Sequence, residues 1–439
     1  MYMNEHKDDA LIQEINSYLN RLFPICRSIT GNGNRQTLRI LQEIVPLSIH
    51  EVPSGAKVYD WTIPDEWNIL DASIAGPDGH RVVDFQQCNL HVVSYSEPVR
   101  QYMAWKDLLP CLYVHPDLPG AIPYRTSYYR RNWGFCVTHA QFHELERLGG
   151  PFEVVIDSTL EPGFLTYGEL LLPGRSDQEI LLSTYICHPS LANDNLSGTV
   201  MTAFLARWLQ QMGQTRYSYR IVWVPETIGA IAYCAQNQAA MQRIDMGLVI
   251  TTVGGPGQFG YKQSWQADHS INKMIEAVLL ETGQPYQTYP FDIHGSDERQ
   301  YSSPGFRINA ATICKDRYYE YPEYHSSLDN LSFVAGKSMA ETLTLYKNLI
   351  DRIEARCVYR NTVEYGEVML SRYNLYPQSG GAQCPSMGEP SELDLILWLL
   401  FCCNGRTSLT EIADRLNVAP DRLENIVARL EQEGILTLV

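Results

Sequence analysis

The stretch that most constrains the fold is 181–198, LLSTYICHPSLANDNLSG, in which an apolar run passes into a polar loop and then into a helical pattern. The apolar run suits a strand covered on both faces, as in a parallel or mixed sheet, because it lacks the alternation of a half-exposed strand. Pro189 ends this strand, and turn-favouring residues precede a helix that begins near Thr199. Asp194 therefore lies at the carboxyl end of a strand, where open α/β sheets place their ligands.

His188 and Asp194 are candidate metal ligands within this loop. They stand six residues apart, and an imidazole and a carboxylate at that spacing can converge on one cation such as zinc, which accepts both donor types. Cys187 is a weaker candidate, because adjacent strand residues face opposite sides of a sheet. A His and an Asp in an ordinary loop are the alternative, and these two residues alone leave both interpretations open.

The same segment resembles a known family. His188, the turn Ala192-Asn193-Asp194-Asn195 and the following Ser197-Gly198 are similar to the metal-binding segment of the zinc-dependent exopeptidases, in which the Asp bridges two metals. The longer stretch is closer to one aminopeptidase-like branch, associated with polysaccharide or secondary-metabolite biosynthesis. The resemblance covers nearly the whole chain. It implies an α/β fold with a mixed-sheet zinc exopeptidase-like core, an inserted small β domain and a C-terminal winged-helix domain.

Two acidic ligands that the resemblance implies are replaced here. Glu226 follows a buried strand at 217–224 and matches the family's general base, but Thr227 occupies the position of the metal ligand that comes next. Another carboxylate ligand is expected near the end of the following strand, where this chain has Thr251 and Thr252. A hydroxyl is a poor substitute for a carboxylate on zinc, so a complete site for a second metal is not expected.

Three of the implied ligands remain. His325 lies in a YHSSLD segment that is similar to the last histidine ligand of the exopeptidases, and Asp329 of the same segment is a candidate partner for it. His188, Asp194 and His325 would complete a catalytic zinc site together with water, which predicts about one zinc ion per chain. Glu226 is then either the base or the fourth ligand.

Two further segments offer candidate substrate-binding residues. Residues 122–136 are rich in aromatic side chains and arginines, which either pack an inserted domain onto the core or form a substrate wall in which Arg125 and Tyr128 contact the substrate. Asp297 and Arg299 lie in a segment, SDERQY, that resembles a loop bordering the family's substrate pocket. Asp297 could orient a metal-bound histidine, or Asp297 and Arg299 could form a structural ion pair.

Changes of pattern along the chain predict three domains. Helical spacing at 9–44 begins the core, and short alternating strands that include 47–52 and 91–95 follow it as an inserted domain. A strand at 152–158 returns to the core, and after a linker three helical patterns and a short strand indicate a winged helix. The predicted boundaries are 1–45 with 105–375 for the aminopeptidase-like core, 46–104 for the inserted β domain and 391–439 for the winged helix.

Charge and composition limit the partners. The net charge of −16 disfavours nucleic acid and anionic membranes, which bind through clustered Lys and Arg. From Ser391 onward the chain carries four Arg and no Lys against three Asp and five Glu, so the winged helix is not expected to bind DNA. No apolar run reaches the roughly 18 residues of a membrane helix, and the first residues lack a signal-peptide pattern. With eleven cysteines that fit buried thiols, a cytoplasmic location is expected.

Two functions are compatible with these residues. The first is metal-dependent cleavage of an amide bond in a small peptide, aminoacyl or N-acyl substrate, with Glu226 as the proton acceptor. The second is a non-hydrolytic, metal-containing protein that binds a peptide or sugar precursor, which would explain the threonines at positions 227 and 252. In both cases the expected partner is a small molecule or short peptide, and assembly as a homo-oligomer is compatible with the sequence.

Overall fold

The computed structural model describes residues 2–376 and 389–439, with side chains described from Asp9 onward. The chain divides into two compact units, one up to residue 349 and one from residue 350. The strands are β1 (Ser48–Pro53), β2 (Lys57–Val58), β3 (Trp61–Thr62), β4 (Glu66–Ala75), β5 (Arg81–Asp84), β6 (Val99–Met103), β7 (Leu112–Tyr113), β8 (Phe135–Cys136), β9 (Phe152–Glu161), β10 (Phe164–Leu172), β11 (Glu179–Tyr185), β12 (Ser218–Val224), β13 (Met246–Ile250), β14 (Phe259–Lys262), β15 (Tyr286–Tyr289), β16 (Asn309–Lys315), β17 (Val358–Asn361), β18 (Asn404–Ser408) and β19 (Leu436–Leu438).

An eight-stranded sheet forms the centre of the first unit, in the order β1-β10-β12-β11-β13-β16-β14-β15. The four strands β12, β11, β13 and β16 are parallel. β10 pairs antiparallel with β1 and β12, and β14 pairs antiparallel with β16 but parallel with β15. β13 is buried along its whole length and β11 along all but its first residue. The prediction of a mixed sheet with strands covered on both faces is therefore confirmed.

Helices cover this sheet and connect its parallel strands. α4 shows how local sequence sets the ends of a helix: Thr138 and Gln141 form a capping box at its start, and Gly149 ends it in the left-handed conformation at φ 69°. Within the described residues, no helix is both long and apolar enough to cross a membrane. The helices are α1 (Tyr2–Leu22), α2 (Asn32–Leu41), α3 (Trp105–Leu108), α4 (His139–Leu148), α5 (Gly198–Met212), α6 (Ile228–Gln236), α7 (Gln238–Met241), α8 (Ser270–Glu281), α9 (Glu298–Tyr301), α10 (Gly336–Glu354), α11 (Glu392–Cys402), α12 (Leu409–Leu416) and α13 (Pro420–Gln432).

A four-stranded antiparallel sheet, in the order β5-β4-β9-β6, forms a second layer in the first unit. Two strand assignments made from the sequence are wrong: 152–158 belongs to β9 of this small sheet, and 47–52 overlaps β1, which pairs with β10 in the large sheet. Residues 91–95, predicted as a strand, contain the end of a 3-10 turn and isolated bridges instead. Local patterns identify a strand but not its partner, because pairing depends on register between distant segments.

The second unit has the three helices α11, α12 and α13 and the three-stranded sheet β18-β17-β19. Ser391 and Ser408 start α11 and α12 with capping boxes. β17 lies upstream of residue 391, in a stretch with no clear periodicity, and it pairs with both other strands. Residues 377–388 of the predicted linker lie outside the described residues.

Candidate functional site

Loops from neighbouring strands meet at the carboxyl edge of the large sheet. β11 ends at Tyr185 and leads into the loop that carries His188 and Asp194, and β12, which is parallel to it, is followed by Glu226. Because the two strands are parallel neighbours, the loops after them lie side by side. His325 reaches the same edge from the connection between β16 and α10.

The four residues predicted for the metal site form one cluster. His188 Nδ1 lies 3.3 Å from Asp194 Oδ1, and His325 Nε2 lies 2.9 Å from Asp194 Oδ2. Glu226 Oε2 lies 3.6 Å from His188 Nε2. The Asp194 side chain is fully buried, whereas 35% of the His325 side chain and 27% of the Glu226 side chain are exposed. Asp194 is therefore the most deeply buried member of the cluster, and the partly exposed side chains of His325 and Glu226 lie on its solvent-facing side.

The donor atoms of this cluster fit a divalent cation. His188 Nδ1, Asp194 Oδ2 and His325 Nε2 are buried and form no hydrogen bond of good geometry in the described part of the chain. Donor atoms from the three residues all lie within 4.8 Å of one another. Buried polar atoms nearly always form hydrogen bonds, so three that converge without a well-formed hydrogen bond could hold a cation between them. Two imidazole nitrogens and a carboxylate oxygen are ligands that zinc prefers.

Asp194 is held in its charged form. Burial raises its pKa, but His188 and His325 lower it further than burial raises it, and the pKa of Asp194 lies far below its usual range. The Tyr185 hydroxyl donates a hydrogen bond to Asp194 Oδ1 and lies 2.7 Å from the Thr251 hydroxyl. One oxygen of the carboxylate is therefore fixed by Tyr185, and the other is left for a cation.

Asp329 holds the backbone of the loop that carries His188 and Asp194. Its Oδ1 accepts the Asn193 N–H at 2.6 Å, and its Oδ2 accepts the Asp194 N–H at 2.9 Å and the Tyr321 hydroxyl at 3.0 Å. The expectation that Asp329 partners His325 is wrong for the described structure, because both carboxylate oxygens already accept bonds from the loop. Asp329 therefore orients Asp194 through the two peptide units that precede it.

Arg27 supports the same loop from beneath, and nothing in the sequence pattern pointed to it beyond a break between two helices. Its guanidinium is 2% exposed and donates to the carbonyl oxygens of His188 at 2.8 Å, Pro189 at 2.9 Å and Leu22 at 2.7 Å. Burial lowers the pKa of Arg27 to about 10, which still leaves it charged at neutral pH. One side chain therefore ties the turn after α1 to the peptide units that carry His188.

Arg27→Met is expected to lower the free energy of unfolding by about 2–4 kcal/mol, because charge-assisted hydrogen bonds of this kind are worth ~1.5–3 kcal/mol each and the carbonyls left behind are buried. Urea denaturation followed by circular dichroism would measure the loss. Arg39→Met is the matched control, since Arg39 is exposed and its replacement should change stability by less than about 0.5 kcal/mol. Equal stability of wild type and Arg27→Met would contradict this role.

Glu226 has an unusual protonation equilibrium for a carboxyl group. Burial raises its pKa, His188 opposes that shift, and the carboxylates of Asp194 and Glu298 reinforce it, so that the pKa of Glu226 reaches about 7. A group with a pKa near neutrality can both accept and return a proton, which suits a general base. A bound divalent cation would favour its charged form.

Cys187 also lies in the cluster. Its sulfur accepts the Glu226 N–H at 3.2 Å, and Cys187, His188 and Glu226 form a second group of potential metal donors. Alternation along a strand argued against Cys187, but β11 ends at Tyr185, so this rule does not apply two residues later. Cys187 is 2% exposed and its pKa is raised well above the usual range by burial, which favours a neutral thiol over a thiolate ligand.

Aromatic rings surround the two histidines, and most of them were not identified from the sequence. The Tyr124 ring packs edge-on against His188 and His325, with centroid distances of 5.2 Å and 5.1 Å, and the Tyr124 N–H donates to the His325 carbonyl at 2.7 Å. Tyr324 stacks on His325 with centroids 3.9 Å apart. These rings fix the orientation of both imidazoles and exclude water from one side of the cluster.

Of the two residues predicted for a substrate wall, Tyr128 lies near the cluster and Arg125 lies on the surface. The Tyr128 hydroxyl is 3.0 Å from the Tyr124 hydroxyl, and its ring packs edge-on against Tyr95. The Arg125 side chain is exposed and makes no ion pair among the described residues. Tyr128 therefore packs against other rings of the fold, whereas Arg125 is exposed. Contact of either residue with a substrate stays a prediction.

Asp297 and Arg299 do not form the ion pair that was one of the two expectations for them. Asp297 is 1% exposed and its Oδ1 accepts the Thr227 N–H at 2.7 Å, whereas Arg299 is exposed and donates to the Ile293 carbonyl at 3.3 Å. Within the described part of the chain, no carboxylate oxygen of Asp297 lies within 4.0 Å of a guanidinium nitrogen of Arg299. Asp297 points into the protein because it bonds to the peptide unit that follows Glu226.

Family models cover both units. One described as "Domain of unknown function (DUF4910)" matches residues 16–356, and one described as a winged helix-turn-helix matches residues 357–438. A protein of Clostridium acetobutylicum, provisionally named a polysaccharide biosynthesis protein with an aminopeptidase-like domain, is 42% identical over 426 residues. That alignment covers 97% of this chain and 96% of the relative.

Solved structures share the fold. A crystal structure from Clostridium acetobutylicum, provisionally described as a peptidase, has a TM-score of 0.80 at 40% identity and covers 100% of this chain and 99% of its own. BSAP, a zinc aminopeptidase from Bacillus subtilis, has a TM-score of 0.53 at 12% identity, covering 78% of this chain and 94% of its own. The predicted α/β aminopeptidase-like fold with a C-terminal winged helix is therefore confirmed.

Proposed function

The chain belongs to the DUF4910 family, and we propose that it is a zinc-dependent, aminopeptidase-like hydrolase that cleaves an amide bond of a small peptide, aminoacyl or N-acyl substrate. The observation that carries the proposal is the convergence of three buried donor atoms, from His188, Asp194 and His325, beside the carboxyl group of Glu226. None of the three forms a hydrogen bond of good geometry in the described part of the chain. The donor set holds ligands for one ion, since Thr227 and Thr252 stand where further carboxylates would be needed for a second.

Zinc, when bound, would polarise a scissile carbonyl and lower the pKa of water. Asp194 supplies the negative charge that retains the ion, while Asp329 and Arg27 hold the loop that carries Asp194 and His188. Glu226 takes a proton on Oε2 from the attacking water and delivers it to the departing amine, a role for which its place 3.6 Å from His188 Nε2 is suited. The rings of Tyr124 and Tyr324 keep the imidazoles in place.

The relative's name and the surroundings of the cluster support a proposal for the substrate class. A role in polysaccharide biosynthesis favours an acylated amino sugar or an aminoacyl group on a sugar precursor. Tyr128 offers an aromatic ring with a polar hydroxyl near the cluster, and Arg125 offers an exposed guanidinium for a carboxylate or phosphate. The exposed Arg299 completes the residues that we propose to line the substrate site, whereas the buried Asp297 acts through the peptide unit that follows Glu226.

The proposal is tested by a turnover screen of aminoacyl amides, dipeptides and N-acylated amino sugars, with the full-length protein loaded with Zn²⁺ or Co²⁺. Release of the amine is measured by a ninhydrin-type assay, and the His188→Ala protein serves as the blank. Amine release by wild type above that blank supports hydrolysis. No release across the panel would contradict the proposed activity.

A second candidate function is favoured by the threonines at positions 227 and 252. Thr252 is fully buried with a hydroxyl that has no hydrogen-bond partner in the described part of the chain, and neither threonine can replace a carboxylate on zinc. A protein that had lost hydrolysis but retained one metal would bind a peptide or sugar precursor in the same pocket. Calorimetry with the same panel separates the two functions, because a binder shows heats of binding without amine release.

We propose that the winged helix does not bind DNA. The arginines of α13 are already paired: Arg422 lies 3.0 Å from Glu389, and Arg429 lies 2.6 Å from Glu392. Fluorescence anisotropy with labelled duplex DNA should therefore show no saturable binding by the full-length protein at about 150 mM salt. The other expected partner, a second copy of the chain, stays a prediction that light scattering would test.

A charge variant provides the control for the DNA experiment. Replacing Glu389 and Glu392 by Gln frees two arginines, so that variant should gain weak binding at low salt that disappears as salt rises. The gain would demonstrate that the assay detects binding when the charge permits it. Specific, salt-resistant binding by the unaltered protein would contradict the proposal.

A further inference from the structure

The chain makes a tight turn immediately after Glu226. The Ile228 N–H donates to the Glu226 carbonyl at 2.8 Å, which closes a three-residue ring with Thr227 at its centre. Thr227 has φ 62° and ψ −77°, the values of the γ-turn with positive φ at its central residue. This form of the turn is rare and strained, and a β-branched residue is among the least suited to it.

A strained residue persists only where its surroundings hold it. The Thr227 N–H points at Asp297, whose Oδ1 accepts it at 2.7 Å. Asp297 is itself fixed, because it directly precedes α9 and its carbonyl oxygen accepts the N–H groups of Gln300 and Tyr301 in that helix. Among the described residues, the Asp297 side chain forms one hydrogen bond, which it accepts from the Thr227 N–H. Its other oxygen, Oδ2, has no partner there.

The turn determines where Glu226 points. β12 ends at Val224 and α6 begins at Ile228, so Glu226 and Thr227 make the whole change of direction together with Pro225. If Thr227 relaxed to ordinary helical angles, α6 would extend backward and carry the Glu226 side chain away from His188. The 3.6 Å approach of Glu226 Oε2 to His188 Nε2 therefore depends on the conformation of Thr227.

We propose that Asp297 is a positioning residue that holds Thr227 in the γ-turn and thereby aims Glu226 at the metal cluster. Thr227 stands where the exopeptidases have a metal ligand, and in this chain it is the central residue of the γ-turn. The inference rests on the proposed hydrolysis, because it assigns Asp297 an effect on the proton transfer by Glu226. Strain held at such a site is a recognised form of pre-organisation.

Two substitutions separate the hydrogen bond from the charge. Asp297→Leu removes the acceptor while keeping side-chain volume, and we expect kcat to fall roughly 10²-fold with KM changed less than about 3-fold, since small misplacements of a reacting group have effects of that size. Asp297→Asn keeps an oxygen that can accept the Thr227 N–H, so it should retain most of the wild-type kcat. Zinc content, measured by elemental analysis, should be unchanged in both variants.

Glu66 provides a matched control. It is a buried carboxylate, 8% exposed, that also accepts a backbone N–H, that of Phe164 at 2.8 Å. Its other hydrogen-bond partners, Arg35 and Asn68, lie outside the cluster of His188, Asp194, His325 and Glu226. Glu66→Leu should therefore lower the melting temperature without changing kcat. If Glu66→Leu lost as much kcat as Asp297→Leu, the loss in Asp297→Leu would come from general destabilisation, and the positioning role would be overturned.

A second measurement needs no substrate. Thr227→Gly removes the strain, because glycine adopts positive φ freely. We expect this substitution to change the melting temperature by different amounts in the wild-type and Asp297→Leu backgrounds. The difference should be roughly 2 °C or more, as expected for coupled neighbours. If Asp297→Leu does not fold, Asp297→Ser takes its place in the cycle. Additive melting temperatures would overturn the link between Asp297 and Thr227 whatever the activity.

The outcomes of the two proposals are distinguishable. Wild-type turnover with equal kcat in wild type and Asp297→Leu would leave hydrolysis standing and overturn the positioning role. A coupled melting cycle in a wild-type protein without turnover would defeat the proposed hydrolysis while supporting the anchored turn. Three results together support the inference: kcat falls in Asp297→Leu, it recovers in Asp297→Asn, and the melting temperatures show that Asp297 and Thr227 are coupled.

Discussion

Glu226→Gln is expected to lower kcat by roughly 10²–10⁴-fold, the usual contribution of a general base, while the protein keeps its zinc. The amide cannot accept the proton that the carboxylate takes from water, yet it has nearly the same shape and leaves His188, Asp194 and His325 untouched. Amine release from the best substrate of the panel gives kcat, and elemental analysis of the same preparation gives the zinc content. Measuring both on one sample separates proton transfer from metal retention.

A second carboxylate of the same strand pair serves as the control. Glu179 begins β11 at the opposite edge of the sheet from the cluster and pairs with Arg220. Glu179→Gln should therefore leave kcat close to that of wild type. If Glu226→Gln lost zinc together with activity, Glu226 would be the fourth ligand and not the base. Full turnover by Glu226→Gln with full zinc would remove Glu226 from the mechanism.

The residues that sequence reasoning located share a physical property: each follows a strand whose position is set by its own pattern. His188, Asp194 and Glu226 lie beyond β11 and β12, and two parallel neighbouring strands bring the loops after them to one edge without further information. The resemblance contributed His325, which belongs to a loop that no strand pattern predicts. The core of the candidate site was therefore predictable before any coordinates were known.

The supporting residues were not predictable in the same way. Arg27 is 161 residues from His188, and a buried arginine that donates only to carbonyl groups leaves no charge partner in the sequence to indicate it. Tyr124 packs on two histidines from another segment, and Thr227 looks like a missing ligand until its φ angle is known. Each of these roles depends on a contact between distant segments, and local periodicity carries no information about such contacts.

The same limit applies to the fold. Patterns predicted the buried strands, the helices of the winged helix and the mixed sheet, because burial on one or two faces determines them locally. They assigned β1 and β9 to the wrong sheets, since a short alternating strand fits the edge of either sheet equally well. Pairing of β9 with β4 over most of their lengths is decided by register and by packing between the layers.

Replacing both His188 and His325 by Ala should reduce the zinc content from about one ion per chain to nearly none. A catalytic zinc site has three protein ligands, and Asp194 alone cannot retain the ion against water. Elemental analysis after gel filtration in metal-free buffer measures the content. Cobalt substitution adds a spectroscopic test, because a thiolate ligand gives an intense near-ultraviolet band and the His188, Asp194 and His325 site should give none.

His91→Ala is the matched control for this loss. His91 is as buried as His188, but its Nδ1 lies 2.7 Å from the Cys136 carbonyl, outside the cluster, so its removal should leave the zinc content unchanged. Two tightly held ions in wild type would contradict the interpretation of Thr227 and Thr252 as lost ligands. A cobalt–thiolate band would make Cys187 a ligand, and full zinc in the double variant would disprove the site itself, because no cation could then depend on the two imidazoles.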